Sequence, residues 1–272
     1  MATPNSIKAE KLFRLVGTPS APVIFDVRTD EDFNADPRLI PAALKRSHKT
    51  VAEWGRTLQG QSIAVVCHHG AKLSEGTAAW LRQLGANAIN VEGGFVEWEQ
   101  ANLPLVPAAK IPARNADGNT VWVTRARPKI DRIACPWLIR RFIDPSAVFL
   151  FVAPQEVAAV ADRFNATPFD IENTAWSHRG DLCTFDVMVE EFGLRSEALL
   201  HLAKIVRAAD TARLDLAPEA AGLLAVSLGL SRMYADDLEQ LDAGMALYDA
   251  FYRWCRDATE ETHNWPTNKA KP

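Results

Sequence analysis

Ile63-Ala-Val-Val-Cys67-His68-His69-Gly70-Ala71-Lys72-Leu73-Ser74 begins as an uninterrupted apolar run and passes through a polar loop into a helix start. A short apolar run bounded by turn residues reads as a buried strand. From Ser74 to Leu84, Ala78, Trp80, Leu81 and Leu84 fall on helical spacing. Working outward, Pro22–Val27 and Ala88–Val91 repeat the apolar-strand pattern. Strands separated by helices imply a mostly parallel sheet covered by helices. Sites in such sheets form at the carboxyl ends of strands, where Cys67 lies.

A cysteine at that place suits a nucleophile. Backbone amides of a strand-to-helix loop can face one anion. The same field, with Lys72 and any protonated histidine, favours thiolate. A packed strand-end cysteine is the simpler alternative. His68 and His69 could shuttle protons, bind a soft metal together with Cys67, or face solvent.

The chain has 272 residues, enough for one large or two ordinary domains. Its strongest break spans Ala101–Thr120, which holds Pro104, Pro107, Pro112, Asn115 and Gly118 without helical or strand period. Beyond it, Val121–Val123 and Val148–Val152 read as strands. From Ser196 onward helical stripes dominate, one through Leu199, Leu202, Ile205, Val206 and Ala209, another from Leu238 to Cys255. The expected architecture is an α/β parallel-sheet domain over 1–107, a linker over 108–120, and a mainly helical α+β domain over 121–272.

A net charge of −4 argues against a generally basic nucleic-acid coat. Four scattered cysteines are not a disulfide scaffold. The longest small or apolar run, Ala220–Val226, is too short for a membrane span, and the first residues lack a signal pattern. A cytoplasmic protein without membrane contact is expected.

The second half carries two chemical candidates. Arg125, Arg127, Lys129, Arg132, Arg140 and Arg141 cluster around Cys135 and Pro136. Proline favours the first position of a helix, which would put Cys135 near a helix start. Such a start among cations suits a small oxyanion or nucleic-acid phosphates, with a solvated helix face as the bland alternative. Asp170, His178, Asp181, Cys183 and Asp186, completed by Asp131 or Asp210, could hold a divalent metal or form a hydrogen-bonded polar cluster. Trp176, Trp254 and Trp265 read as packing residues, and His201 and His263 as surface or tail residues.

Two resemblances organise these pieces. Asp26-Val27-Arg28…Glu31-Asp32-Phe33, Ile40-Pro41-Ala42-Ala43, Cys67-x-x-Gly70-x-Lys72 and Gly93-Gly94-Phe95-x-x-Trp98 resemble, in order, the motifs of rhodanese-like domains. The likeness covers about 7–107. It implies a sulfurtransferase: Cys67 takes sulfur from a small donor such as thiosulfate and passes it as persulfide to a thiophilic acceptor, with no cofactor needed. His68, His69, Gly70, Ala71 and Lys72 would form the anion-binding loop, and Asp26 and Arg28 the scaffold. Lys72 stands where the family has Arg, and Leu73 where it has Ser. Related phosphatases need Arg at the place of Leu73, which disfavours phosphatase chemistry.

Trp122-x-Thr124-Arg125-x-Arg127-Pro128-x-x-Asp131-Arg132-Ile-Ala-Cys135-Pro136-Trp137, Cys183-Thr-Phe-Asp186, Ala209-Asp210-Thr211 and Ser227-Leu-Gly-Leu-Ser-Arg232-x-Tyr234 resemble the C-terminal domain of the chromate-resistance protein ChrB. That likeness covers about 121–257 and implies a part in bacterial chromate resistance. Arg125, Arg127, Arg132, Cys135 and Arg140 are then oxyanion or redox candidates, with chromate as a ligand. Two other readings stay open: a chromate- or metal-responsive regulator contacting DNA, disfavoured by the acidic balance, and a docking scaffold with a silent rhodanese fold. The C-terminal helical stripes could pack within the chain or against a twin.

Overall fold

The computed structural model describes residues 5–261. His263 and Trp265 lie outside these residues. In chain order the first half comprises β1 (Ser6–Ile7), α1 (Ala9–Phe13), β2 (Val23–Asp26), α2 (Asp30–Ala35), β3 (Arg38–Leu39), β4 (Ala43–Lys45), α3 (Val51–Trp54), β5 (Ser62–Val66), α4 (Lys72–Gln83), β6 (Asn87–Val91), α5 (Gly94–Gln100) and β7 (Val106–Pro107). Five of these strands form one parallel sheet in the order β1-β6-β5-β2-β4. Strands β3 and β7 pair antiparallel.

The sheet is covered on both faces, which is why its strands read as continuous apolar runs. Alternation along β2 and β5 sends Phe25, Ile63 and Val65 to one face, where Ala78 and Leu81 of α4 pack. It sends Ile24, Ala64 and Val66 to the other, against Leu12, Phe95 and Trp98. Thr29 caps α2 by accepting the Asp32 amide at 3.1 Å, and Asp30, Glu31 and Asp32 complement the helix dipole.

The second half comprises β8 (Val121–Arg125), α6 (Asp131–Phe142), β9 (Val148–Val152), α7 (Val157–Phe164), β10 (Thr167–Pro168), α8 (Thr184–Glu191), α9 (Glu197–Asp210), α10 (Ala220–Met233) and α11 (Asp237–Asp257). Strands β10-β8-β9 make a small parallel sheet, and the rest is helical. Ser196 caps α9, and the Asp236 carboxylate accepts the Leu238 and Glu239 amides at the start of α11, both at 2.9 Å. The architecture is therefore a parallel α/β sheet unit followed by a helix-rich region with its own small sheet.

A single apolar cluster runs from the first half into the second, joining Leu12, Val16, Phe95 and Trp98 to Trp137, Phe142, Tyr248 and Tyr252. Gly17 sits at the seam with φ +80°, and a side chain there would collide with the Phe142 and Tyr252 rings. The Ala42 amide donates to the Phe142 carbonyl at 2.5 Å, and Arg256 donates to the Arg14 carbonyl at 2.8 Å. Residues 108–120 are anchored as well: Lys110 pairs with Glu191 at 2.5 Å, and Arg114 with the buried Asp144 at 2.9 Å.

One expectation is corrected here. Pro136 lies inside α6 rather than at its first position, because the helix already starts at Asp131. Cys135 is consequently an interior helical residue, fully buried. No described helix is long and apolar enough to cross a membrane.

Candidate functional site

The carboxyl end of β5 delivers Cys67 into the loop that leads to α4. Its sulfur lies 3.2 Å from the buried Ser74 hydroxyl, which donates in turn to the Ala71 carbonyl at 3.1 Å. The helix begins at Lys72, two residues earlier than the periodicity predicts, so Ser74 sits in its first turn. That geometry closes the loop from Cys67 to Ser74 with a side-chain contact that sequence reading did not find. Leu73 does withhold a hydroxyl, but the next residue supplies one.

Two glycine segments hold the loop from behind. Gly70 and Gly94 have φ of +64° each, the left-handed region that glycine tolerates best. A methyl on Gly94 would collide with the Cys67 carbonyl and the Gly70 amide; one on Gly70 would collide with the Val91 carbonyl. This close backbone approach lets Phe95 and Val96 donate their amides to the Cys67 and His68 carbonyls at 2.9 and 3.1 Å. Asn90 adds a side-chain bond to the Gly70 carbonyl at 3.2 Å. With its carbonyls tied back, the loop presents its outer side to solvent. His69, Ala71 and Lys72 are exposed there. His68 is half-buried with Nδ1 lacking a partner, and its ring meets His69 edge-on at 4.4 Å.

Asp26 and Arg28 brace this end of the sheet. Arg28 donates from Nε to Asp26 at 2.8 Å and from its two terminal nitrogens to the Asp36 and Arg38 carbonyls. Its guanidinium lies 3.8 Å from the centre of the Phe95 ring. Every contact is structural, and removing one member of so buried a pair costs about 3–5 kcal/mol.

In the second half, the structure separates the predicted residues into two groups. Arg125 and Arg132 both pair with Asp170, at 3.2 and 3.3 Å. The Arg127 amide binds Asp237, while its guanidinium binds the Tyr234 and Ser231 carbonyls. Arg140 pairs with Asp242 and Arg141 with Asp249. The basic stretch is thus largely absorbed by intramolecular acceptors. Burial pushes the Cys135 thiol well above its ordinary range, with nearby Asp131 adding to the effect.

The other group converges. His178 Nε2 lies 3.2 Å from Asp210, 3.5 Å from Asp131 and 3.6 Å from Asp170. The Asp131 carboxylate also accepts the Thr184 amide at 2.6 Å, at the start of α8. Hydrogen bonding to Asp131 raises His178 to about 9, while burial raises Asp210 to about 7 with help from Asp131 and Asp170. Burial, then Asp131, also raises Asp170. Three predicted ligands do not join this set. Asp181 is exposed, Cys183 caps α8 in a reciprocal pair with Asp186, and Asp186 binds Arg207 at 3.2 Å. Trp176 packs by stacking on Phe192 at 4.7 Å, and His201 lies against Trp254.

Residues 8–101 match the family of rhodanese-like domains, and residues 122–255 match the family described as ChrB, C-terminal domain. The chain joins a rhodanese-like domain to a domain that matches the ChrB C-terminal family. Among curated proteins, Protein ChrB of Cupriavidus metallidurans is 36% identical over 132 residues, covering 48% of this chain. The match spans only 39% of that relative's length. Among solved structures, a rhodanese-related protein of Thermoplasma volcanium is 28% identical, covering 38% of this chain and 97% of its own, with a TM-score of 0.33. A rhodanese-like domain protein of Staphylococcus aureus is 31% identical, covering 35% of this chain and 90% of its own, with a TM-score of 0.31. The Cys67 loop lies in the rhodanese-like domain, and the His178 cluster in the domain that matches the ChrB C-terminal family.

Proposed function

We propose that the protein is a sulfurtransferase that carries sulfur as a persulfide on Cys67, joined to a domain serving bacterial chromate resistance. The observation that carries this reading is the placement of the Cys67 sulfur. It stands at a strand end, beside the Ser74 hydroxyl, in a loop that runs into the N-terminus of α4. A helix start favours negative charge, which suits both a thiolate and an anionic donor.

The chemistry balances without a cofactor. The Cys67 thiolate attacks the outer sulfur of thiosulfate, the donor's sulfur–sulfur bond breaks, and sulfite leaves with the electron pair. An acceptor nucleophile such as cyanide then attacks the terminal persulfide sulfur, and Cys67 departs as thiolate. Lys72 places a cation beside the loop, but without the two-pronged hydrogen bonding of an arginine. Slow turnover on thiosulfate follows from that difference.

The tie to chromate rests on the ChrB resemblance, and the ligand class we assign to the second domain is an oxyanion such as chromate, a tetrahedral dianion, or a metal ion. DNA is the less favoured partner, because the guanidinium groups of Arg125, Arg127, Arg132, Arg140 and Arg141 are engaged within the chain. We place the protein in the cytoplasm. Thiocyanate formation from thiosulfate and cyanide tests the reading. Wild-type protein is expected to form it and Cys67→Ser is not; equal rates would overturn the assignment.

A further inference from the structure

We propose that Asp131, Asp170, Asp210 and His178 form a binding site for one divalent first-row transition-metal ion. The four side chains come from separate places in the chain. Asp131 opens α6, Asp170 follows β10 with φ +52°, His178 precedes α8, and Asp210 ends α9. They meet at one point. Donor atoms of Asp131, Asp170 and His178 all lie within 4.8 Å of one another, and Asp210 approaches the same imidazole nitrogen at 3.2 Å.

The convergence on a single nitrogen points to an ion. One N–H donates to one oxygen, yet carboxylates of three residues stand 3.2–3.6 Å from His178 Nε2. A cation bonded at about 2.0–2.3 Å to each donor would satisfy all of them, and small closures of these gaps give the spacing of neighbouring ligands. Asp131 and Asp170 are already oriented by other groups: the Thr184 amide holds Asp131, and the Thr184 hydroxyl donates to Asp170 at 3.0 Å. Such supporting bonds fix ligand direction at metal centres. On the adjoining strand the Thr124 hydroxyl is buried without a partner.

The donor set selects the class of ion. Three carboxylates and one imidazole, without thiolate, match Mn²⁺ or Fe²⁺ better than a soft ion. Cys135 and Cys183 are buried nearby but take no part in this set. His178 is 41% exposed on its side chain, which leaves an edge open for entry of the ion.

The test is equilibrium dialysis of chelator-stripped full-length protein against Mn²⁺ and, separately, Zn²⁺, with Mn²⁺ occupancy also read by electron paramagnetic resonance. One ion per chain is expected, with affinity falling on the order of tenfold or more in His178→Ala and Asp210→Asn. His178→Ala alters a partly exposed side chain, so circular dichroism can verify that it stays folded. Cys67→Ser is expected to bind the ion as wild type does, which separates this site from the sulfur chemistry. Failure of both ions to bind stoichiometrically, or equal binding by the two ligand variants, would overturn the proposal.

Discussion

The Ser74 hydroxyl stands 3.2 Å from the Cys67 sulfur, across the loop that separates strand from helix. This contact ties the first turn of α4 to the Cys67 sulfur. It predicts that Ser74→Ala slows sulfur uptake by about fivefold, the kinetic equivalent of one ordinary hydrogen bond of about 1 kcal/mol. Rapid quenching of a single turnover with thiosulfate, followed by mass analysis, measures it. An unchanged rate would show that the hydroxyl only holds the Ala71 carbonyl.

Gly94 allows the backbone behind Cys67 to approach closely. Gly94→Ala is expected to lose about 2 kcal/mol or more, combining a strained left-handed conformation with collision against the loop. Gly180→Ala is the control, since Gly180 has φ +60° but nothing within 4 Å of its missing side chain. It should cost about 1 kcal/mol and leave sulfur transfer unchanged. Urea denaturation and the thiocyanate assay together separate backbone strain from damage to the loop. Equal effects of the two substitutions would contradict the packing account.

The two halves share one apolar cluster at Phe142 and Tyr252, so they should unfold together. Phe142→Ala is expected to cost about 3–5 kcal/mol and to lower the urea midpoint of both halves. Far-ultraviolet circular dichroism and tryptophan fluorescence should then report one coincident transition. Two separated transitions in the wild-type protein would contradict a shared core.

All four cysteines are free and buried, Cys67 at 4% exposure and Cys255 at 9%. Burial, with Glu219 nearby, pushes the Cys255 thiol up to about 12, leaving roughly 10⁻⁴ of it as thiolate at pH 8. Burial also pushes Cys135 and Cys183 upward. Cys67 alone stands in a loop that leads into a helix start, so on the persulfide reading iodoacetamide on native protein at pH 8 should modify Cys67 first, as mapped by peptide mass. Modification of Cys255 at a comparable rate would mean that the C-terminal helix opens readily.

Much of the first half was legible because its signals are local. Buried strands such as Ser62–Val66 are apolar throughout, since both faces of the sheet are covered. Cys67, Gly70 and Gly94 stand close enough in sequence order for their motif to be recognised. Ser74 was missed because the helix starts at Lys72, and that shift turns a residue read as ordinary helix toward the sulfur. Pro136 misled for a tertiary reason: packing of α6 against the core outweighs the preference of proline for a helix start. In the second half, His178, Asp131 and Asp210 were named as ligand candidates, but so were Asp181, Cys183 and Asp186. Closeness in sequence favoured the latter three, whereas the start of α8 directs Cys183 and Asp186 to each other. Only the fold brings together carboxylates as far apart in the chain as Asp131 and Asp210.

The most direct test of the proposed persulfide chemistry is the intact mass of the purified protein after incubation with thiosulfate, beside Cys67→Ser. The account predicts a gain of one sulfur atom in the wild type, removed by cyanide and absent from the variant. No gain in the wild type, or an equal gain in Cys67→Ser, would contradict it.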